Sequence, residues 1–316
     1  MAVPSVISIG NFDGVHRGHQ AIFARARQLA DARDAEVVAM TFDPHPASVL
    51  RPDGAPPRLT TPPEKQARLQ EAGADRVVVL QPTKELLGQP AEQFITRLVD
   101  SYRPVAIVEG PDFRFGKGRG GDMNLLAELG RSRGFDAVVQ PQVELALSDC
   151  TLVTVSSSLV RWLVGRGRVL DVGICLGRWH ELVAPVMQGE QRGRTIDVPT
   201  ANLDPAAYGS LIVPADGVYA GEAVLPGGEL RPAAISVGVK PTFGQHQLTV
   251  EAHVLDFSGD LYGQPLRIRF ARWLRDQYMF PNVESLKKQL ERDIAHTREL
   301  AEQGRLTCCE SLAPAS

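Results

Sequence analysis

No apolar run in this chain approaches the roughly 20 residues that a membrane-crossing helix requires, so no membrane partner is expected. An excess of one charge is also missing. With 34 Lys and Arg against 37 Asp and Glu, the net charge is -3, which argues against general nucleic-acid or membrane-surface binding. Cysteine is scarce. Cys150, Cys175, Cys308 and Cys309 form no CxxC pair, and reduced thiols in a cytoplasmic protein are the expectation. The opening "MAVPSVISIGNFDG" lacks a basic segment and a cleavage site, so no export signal is expected. There is no internal repeat. What is present is a globular composition, 43% hydrophobic and 22% charged, over 316 residues, a comfortable length for two domains.

Two textures divide the chain. Up to about residue 160, apolar strand candidates at 6–10, 36–42, 76–80, 104–110, 136–141 and 150–156 stand out. The first five are separated by helix-like stretches at 18–32, 63–72, 91–101 and 123–133. Near-continuous apolar strands predict burial on both faces of a parallel sheet. The alternation predicts a doubly wound α/β domain with ligands beyond the carboxyl ends of its strands. After about residue 180, strand candidates at 217–225, 230–238, 248–257 and 265–275 follow one another with no room for helices, as in an antiparallel barrel or sandwich. A final helix is expected from near Pro281, with Val283, Leu286, Leu290 and Ile294 as its apolar stripe.

The densest motif is "GNFDGVHRGH", Gly10 to His19, at a strand-to-helix junction. Helix N-termini attract anions, and glycine lets a backbone approach a phosphate closely. His16 and His19 can donate to phosphoryl oxygens and stabilise charge developing on an α-phosphate. From these residues alone a phosphate site, a plain turn and a metal site stay open, although HxxH supplies only two ligands.

The spacing resembles the GxFDxxHxGH signature of the nucleotidyltransferase superfamily, and this version is similar to that of bacterial bifunctional riboflavin kinase/FAD synthetases. "TFDPHP" (41–46), "GPDFRFGKGRGGD" (110–122) and "VSSSLVR" (155–161) extend the resemblance. It implies a nucleotide site at Gly10, Phe12, Asp13, His16, Gly18, His19, Ser157, Ser158 and Arg161. It also implies flavin contacts at Asp112, Phe113 and Phe115, with the cations of that loop meeting phosphate. Arg161 suits triphosphate oxygens as a planar fork.

"PTANL" (199–203), preceded by "QGEQRGRTIDV", resembles the riboflavin kinase signature, and "PADGVYAG", "AAISVGVKPTFG" and "VEAHVLDFSGDLYG" look like further segments of that domain. The resemblance implies a kinase nucleotide site at Gly189, Gly193, Arg194, Thr200 and Asn202, with Thr200 and Asn202 holding Mg²⁺. Oxygen donors suit that ion. It implies Glu251 as the base and Arg275 as a flavin contact. On a strand, Glu251 and His253 share one face, with Val250, Ala252 and Val254 on the other.

Three residues depart from the family pattern. Asp197 stands where Gly is usual, and Gln277 and Met279 replace an acid and a base. All three fall in the kinase half, so an adenylyltransferase with weak or lost kinase activity stays open as the alternative.

The resulting expectation is a Rossmann-like α/β nucleotidyltransferase domain with a parallel sheet over 1–182. An antiparallel β-barrel kinase domain with a C-terminal helix follows over 183–308. Together they would turn riboflavin into FMN and then FAD with ATP and Mg²⁺, in the cytoplasm, on small-molecule substrates and without nucleic acid.

Overall fold

The computed structural model describes residues 3–188, 198–242 and 245–306. Gly189, Gly193, Arg194 and Asp197, and also Cys308 and Cys309, lie outside the described residues. Packing divides the chain into two compact units, Met1–Glu144 with Val153–Ser157, and Leu145–Leu152 with Ser158–Ser316. Residues 158–176 thus pack with the second unit, ahead of the division at 182 expected from the sequence.

In the first unit β1 (Ser5–Gly10), α1 (Arg17–Asp31), β2 (Glu36–Phe42), α2 (Pro46–Leu50), α3 (Pro62–Glu71) and β3 (Arg76–Leu80) come first. Then follow α4 (Lys84–Leu87), α5 (Ala91–Tyr102), β4 (Pro104–Glu109), α6 (Met123–Arg133) and β5 (Asp136–Val139). The strands form one sheet in the order β3-β2-β1-β4-β5, every pair parallel. Successive side chains feed opposite faces. Val6, Val37 and Val108 pack with Phe23 of α1 and Leu69 of α3. Ile7, Val38 and Ile107 pack with Ile95 of α5 and Leu126 of α6. Burial on both faces holds for β1, β2 and β4 but fails at the edge strands, where Val79 and Val139 are about half exposed, because an edge strand has a neighbour on one side only.

Helix starts follow local chemistry. Thr61 and Glu64 form a reciprocal capping box on α3, with Pro62 in its first turn. Asp122 accepts from Asn124 N and Leu125 N at the start of α6, which ends at Gly134 in the left-handed region, φ 82°.

Two short strands, β6 (Glu144–Ala146) and β7 (Leu152–Thr154), lie where the chain passes between units. The strand expected at 150–156 shrinks to β7 and takes no part in the parallel sheet. Then come α7 (Ser157–Gly165), α8 (Val169–Leu176), β8 (His180–Met187), β9 (Ala201–Leu203) and α9 (Pro205–Tyr208). The chain continues through β10 (Gly217–Val224), β11 (Leu230–Thr242), β12 (Gln245–Val254), β13 (Pro265–Arg275) and α10 (Val283–Glu302).

Six strands close an antiparallel barrel, β10-β11-β12-β9-β8-β13, so the second unit is a barrel and not a sandwich. Leu182, Val186, Ile235, Val250, Ala252, Ile268 and Phe270 fill it. Strand β8 was not among the expected strands; Glu181 stands near its start, ahead of an apolar run that Pro185 breaks. Glu181 is nevertheless 5% exposed, since Arg267 (2.7 Å) and Arg269 (3.4 Å) on β13 neutralise it. The stripe expected on α10 is kept in part, with Leu286, Leu290 and Ile294 half-buried. Val283 is exposed, and the most buried positions are Asp293, Thr297 and Leu300.

Candidate active sites

In the first unit β1 and β4 are neighbours at the point where strand order reverses, and their carboxyl-end loops carry the two motifs. That crevice is where open α/β sheets bind ligands. The glycine-rich turn is backbone-strained, with φ values of 46° at Phe12, 82° at Gly14 and 40° at Val15. A β-branched residue at positive φ persists only where surroundings force it. The force comes through Asp13. Its carboxylate accepts from Leu59 N (3.0 Å), Thr60 N (3.3 Å) and Thr60 Oγ1 (3.2 Å). Its backbone oxygen accepts from Ser157 Oγ at 2.8 Å. Asp13 is thus buried as a clamp under the turn.

The turn sets the histidines at the start of α1, with His16 as the extended N-cap residue. Their rings stack, 3.6 Å between centroids and 21° between planes, and Phe12 meets His19 edge-on at 5.2 Å. The glycines keep room for these rings. A Cβ on Gly10 would stand 2.9 Å from the Phe12 ring, and one on Gly18 would stand 3.1 Å from the His16 ring. A helix N-terminus and two imidazoles together form an anion-attracting surface. Gly10, Phe12, Asp13, His16, Gly18, His19 and Ser157 are therefore brought together. Ser158 and Arg161 fall on α7 in the second packing unit.

After β4, Asp112 is exposed and its Oδ2 accepts from Gln142 Nε2 at 2.5 Å. Phe113 and Phe115 stack at 5.3 Å, but they differ in access. Phe115 is buried in the core beside Ala91 and Ile95, and Phe113, half-buried, is the ring near the surface. Arg114, Lys117 and Arg119 are exposed on the same loop.

Sequence reasoning passed over several residues here. Asn11, Asp43, His45, Arg58 and Lys65 line a small cavity with Asp13 and Thr60. Lys65 donates to Phe42 O (2.9 Å) and Asn11 O (3.3 Å), and burial pushes its ammonium pKa down against the pull of Asp13 and Asp43. Ala47 N donates to His45 Nδ1 at 3.0 Å, and His45 Nε2 lies 3.1 Å from Asn11 Nδ2. "TFDPHP" was the available signal for Asp43 and His45. Glu109, at the end of β4, was hidden in an apolar run. It is 3% exposed and accepts from Ile9 N at 2.5 Å and Ser8 Oγ at 3.4 Å, and desolvation holds its carboxyl well above the usual glutamate range.

The second unit gathers its own cluster. Glu251 on β12 lies opposite Asn202 on β9 and opposite Ser236 on β11. Thr200 Oγ1 donates to Glu251 Oε2 at 3.3 Å, and Asn202 Nδ2 donates to Thr200 O at 3.3 Å. His253 Nδ1 lies 2.8 Å from Pro199 O, tying the segment before β9 to β12. Val250, Ala252 and Val254 face the barrel interior, as the strand period requires. Burial raises the Tyr208 phenol to about 12, and the charges of Asp204 and Glu251 add to the effect.

Thr200 and Asn202 line a cavity of about 420 Å³. Phe257, Ser258, Gly259, Asp260 and Tyr262 complete its wall, and none of these was singled out from "FSGDLYG". Arg275 is committed to Asp293 of α10, with Nε and Nη2 both on that carboxylate, the latter at 2.7 Å. Its guanidinium also lies 5.6 Å from the Phe280 ring. Met279 is 93% exposed.

Comparison with known proteins covers both units. Residues 2–154 match the family model for FAD synthetase, and residues 176–301 match that for riboflavin kinase. The chain is similar to the bifunctional riboflavin kinase/FMN adenylyltransferase of Escherichia coli (strain K12), at 34% identity over 93% of this chain and 92% of that one. Its likeness to the protein of the same name from Pseudomonas fluorescens is 35% over 94% and 93%. For that of Bacillus subtilis (strain 168) it is 31% over 92% and 90%. A crystal structure from Streptococcus pneumoniae, described as a macrolide-efflux protein, matches with TM-score 0.85 and 28% identity over 94% of this chain and 95% of that one. Among the described residues, no helix is long and apolar enough to cross a membrane.

Proposed function

The chain belongs to the bifunctional riboflavin kinase/FMN adenylyltransferase family, and from that premise we propose how its residues divide the two reactions. Riboflavin is phosphorylated by ATP to FMN in the second half. FMN is then adenylylated by ATP to FAD in the first half, with release of pyrophosphate. The observation that carries the division is that each half has its own cluster: the stacked His16 and His19 at the start of α1, and Thr200 just before β9 with Asn202 and Glu251 on the paired strands β9 and β12.

In the kinase half, Glu251 accepts the proton of the ribityl 5′-hydroxyl as that oxygen attacks the γ-phosphorus, and ADP leaves. Thr200 and Asn202 offer hard oxygen donors suited to Mg²⁺, which neutralises charge on the ATP phosphates when bound. Gly189, Gly193 and Arg194 are assigned to the nucleotide and Arg275 to the flavin side, where its pairing with Asp293 fixes the guanidinium.

In the adenylyltransferase half, an FMN phosphate oxygen attacks the α-phosphorus of ATP. His16, His19 and the α1 terminus stabilise the charge that develops, with Ser157, Ser158 and Arg161 on the nucleotide. Asp112 and Phe113 serve the flavin side, and Phe115 supports Phe113 from the core. Functionally this half runs to 182 and the kinase half from 183 to 308. The substrates are small molecules, the compartment is the cytoplasm, and no nucleic acid is involved. The purified protein with riboflavin, ATP and Mg²⁺ is followed by chromatography. FMN and then FAD with pyrophosphate are expected, and absence of FAD from supplied FMN would overturn the reading.

A further inference from the structure

The pairing of β9 with β12 is short. It sets Asn202 against Glu251 and Ala201 against Ala252. Thr200 and Pro199 come just before the first residue of β9 and lie outside this ladder, and Pro199 has no N–H to donate to it. Side-chain bonds from β12 take over there. His253 Nδ1 is 2.8 Å from Pro199 O. A carbonyl oxygen only accepts, so Nδ1 carries the hydrogen of this bond, in the neutral ring and in the cation alike. Thr200 Oγ1, one residue on, donates to Glu251 Oε2 at 3.3 Å. Glu251 and His253 stand two apart on β12 and share a face, while Ala252 between them turns to the core. One strand thus carries both the carboxylate and the group that holds the backbone of its hydroxyl partner.

We propose that His253 is a positioning residue for riboflavin phosphorylation, acting through the Pro199 carbonyl on Thr200. The Pro199 oxygen and the Thr200 nitrogen belong to one planar peptide unit. A bond to that oxygen therefore fixes the plane from which the Thr200 side chain departs. Without it the plane is free to turn, because strand pairing begins only at Ala201. The Thr200 hydroxyl then leaves its place beside Glu251, and small misplacements in a reacting cluster cost rate. The ring acts only by donating a hydrogen from the Nδ1 position. Asn can replace it, since its amide nitrogen is as many bonds from Cα as Nδ1 is. Gln cannot, since its nitrogen is one bond farther out, at the place of Nε2. The inference rests on the assignment of Thr200 and Glu251 to the kinase reaction.

The test is steady-state kinetics of FMN formation by the full-length protein, with FAD formation from FMN as the internal control. His253→Ala and His253→Gln are each expected to lower the kinase kcat about tenfold, the scale of one hydrogen bond. KM for riboflavin should stay within about twofold, and FAD formation should be unchanged. His253→Asn should keep kcat within about twofold of the unmodified protein, a contrast with Gln that holds even if the Ala variant fails to fold. In a Thr200→Ala background, itself slow, His253→Ala should cost nothing further, because it acts through Thr200. Full kcat in His253→Gln, equal losses in the Asn and Gln variants, or losses that multiply in the double variant would overturn the positioning role and leave the assignment of Thr200 standing. Full kinase activity in Thr200→Ala would overturn that assignment and the inference with it.

Discussion

Thr200 donates its hydroxyl hydrogen to Glu251 Oε2 at 3.3 Å, although 51 residues separate the two. The pairing of β9 with β12 brings them together, and nothing in that contact involves the first unit. Separate clusters predict separable defects. His19→Ala should stop FAD formation and leave FMN formation intact, and Glu251→Gln should do the reverse, each by at least about 100-fold. Chromatography of flavin products decides it; loss of both activities in each folded variant would contradict two sites.

Gly10 and Gly18 are required for ring space. With a Cβ 2.9 Å from Phe12 or 3.1 Å from His16, Gly10→Ala and Gly18→Ala should displace the stacked imidazoles. FAD formation should fall about tenfold or more, since small misplacements of catalytic groups are costly. Pyrophosphate release measures this, and unaltered FMN formation shows that the change is local.

Asp13 is a clamp before it is a ligand contact. Asp13→Ala leaves Leu59 N, Thr60 N and Thr60 Oγ1 without their buried acceptor. A loss of about 3 kcal/mol in the stability of the first unit is expected, together with FAD formation. Urea unfolding would show it as a lower midpoint; Asp13→Asn, which keeps one acceptor oxygen, should lose less.

Glu109 predicts a pH dependence. Its folded pKa is raised by burial, so its contribution to stability is complete below the unfolded value of about 4.3 and is lost as pH rises through the folded pKa. Glu109→Gln keeps an acceptor for Ile9 N and has no proton to lose. Its stability relative to the unmodified protein should therefore improve steadily from pH 4 to pH 8, read from urea midpoints across that range. A pH-independent difference would show that Glu109 does not titrate differently on folding.

Much of the first unit could be read directly. Strands β1 to β4 and helices α1, α3, α5 and α6 fall within a residue or two of their expected positions. Their periods, caps and turn residues are local. The misses share one cause. Glu181 of β8 looks like a surface residue until Arg267 and Arg269 arrive from β13, and α10 buries Asp293 because Arg275 meets it. A buried charge carries no local signal when its partner lies far along the chain.

The sequence alone determined the two textures, the histidine and PTAN motifs, and which residues are chemically able to handle phosphate, a divalent ion and a proton. Those properties follow from residue type and spacing over a few positions. Only tertiary structure decided that the outer faces of three barrel strands align Asn202, Glu251 and Ser236, that Gln277 reaches Ser236, and that Asp13 is held by Leu59 and Thr60. Strand register and loop contacts depend on the summed packing of distant residues, and a one-residue slip would put Glu251 into the barrel core and break the row.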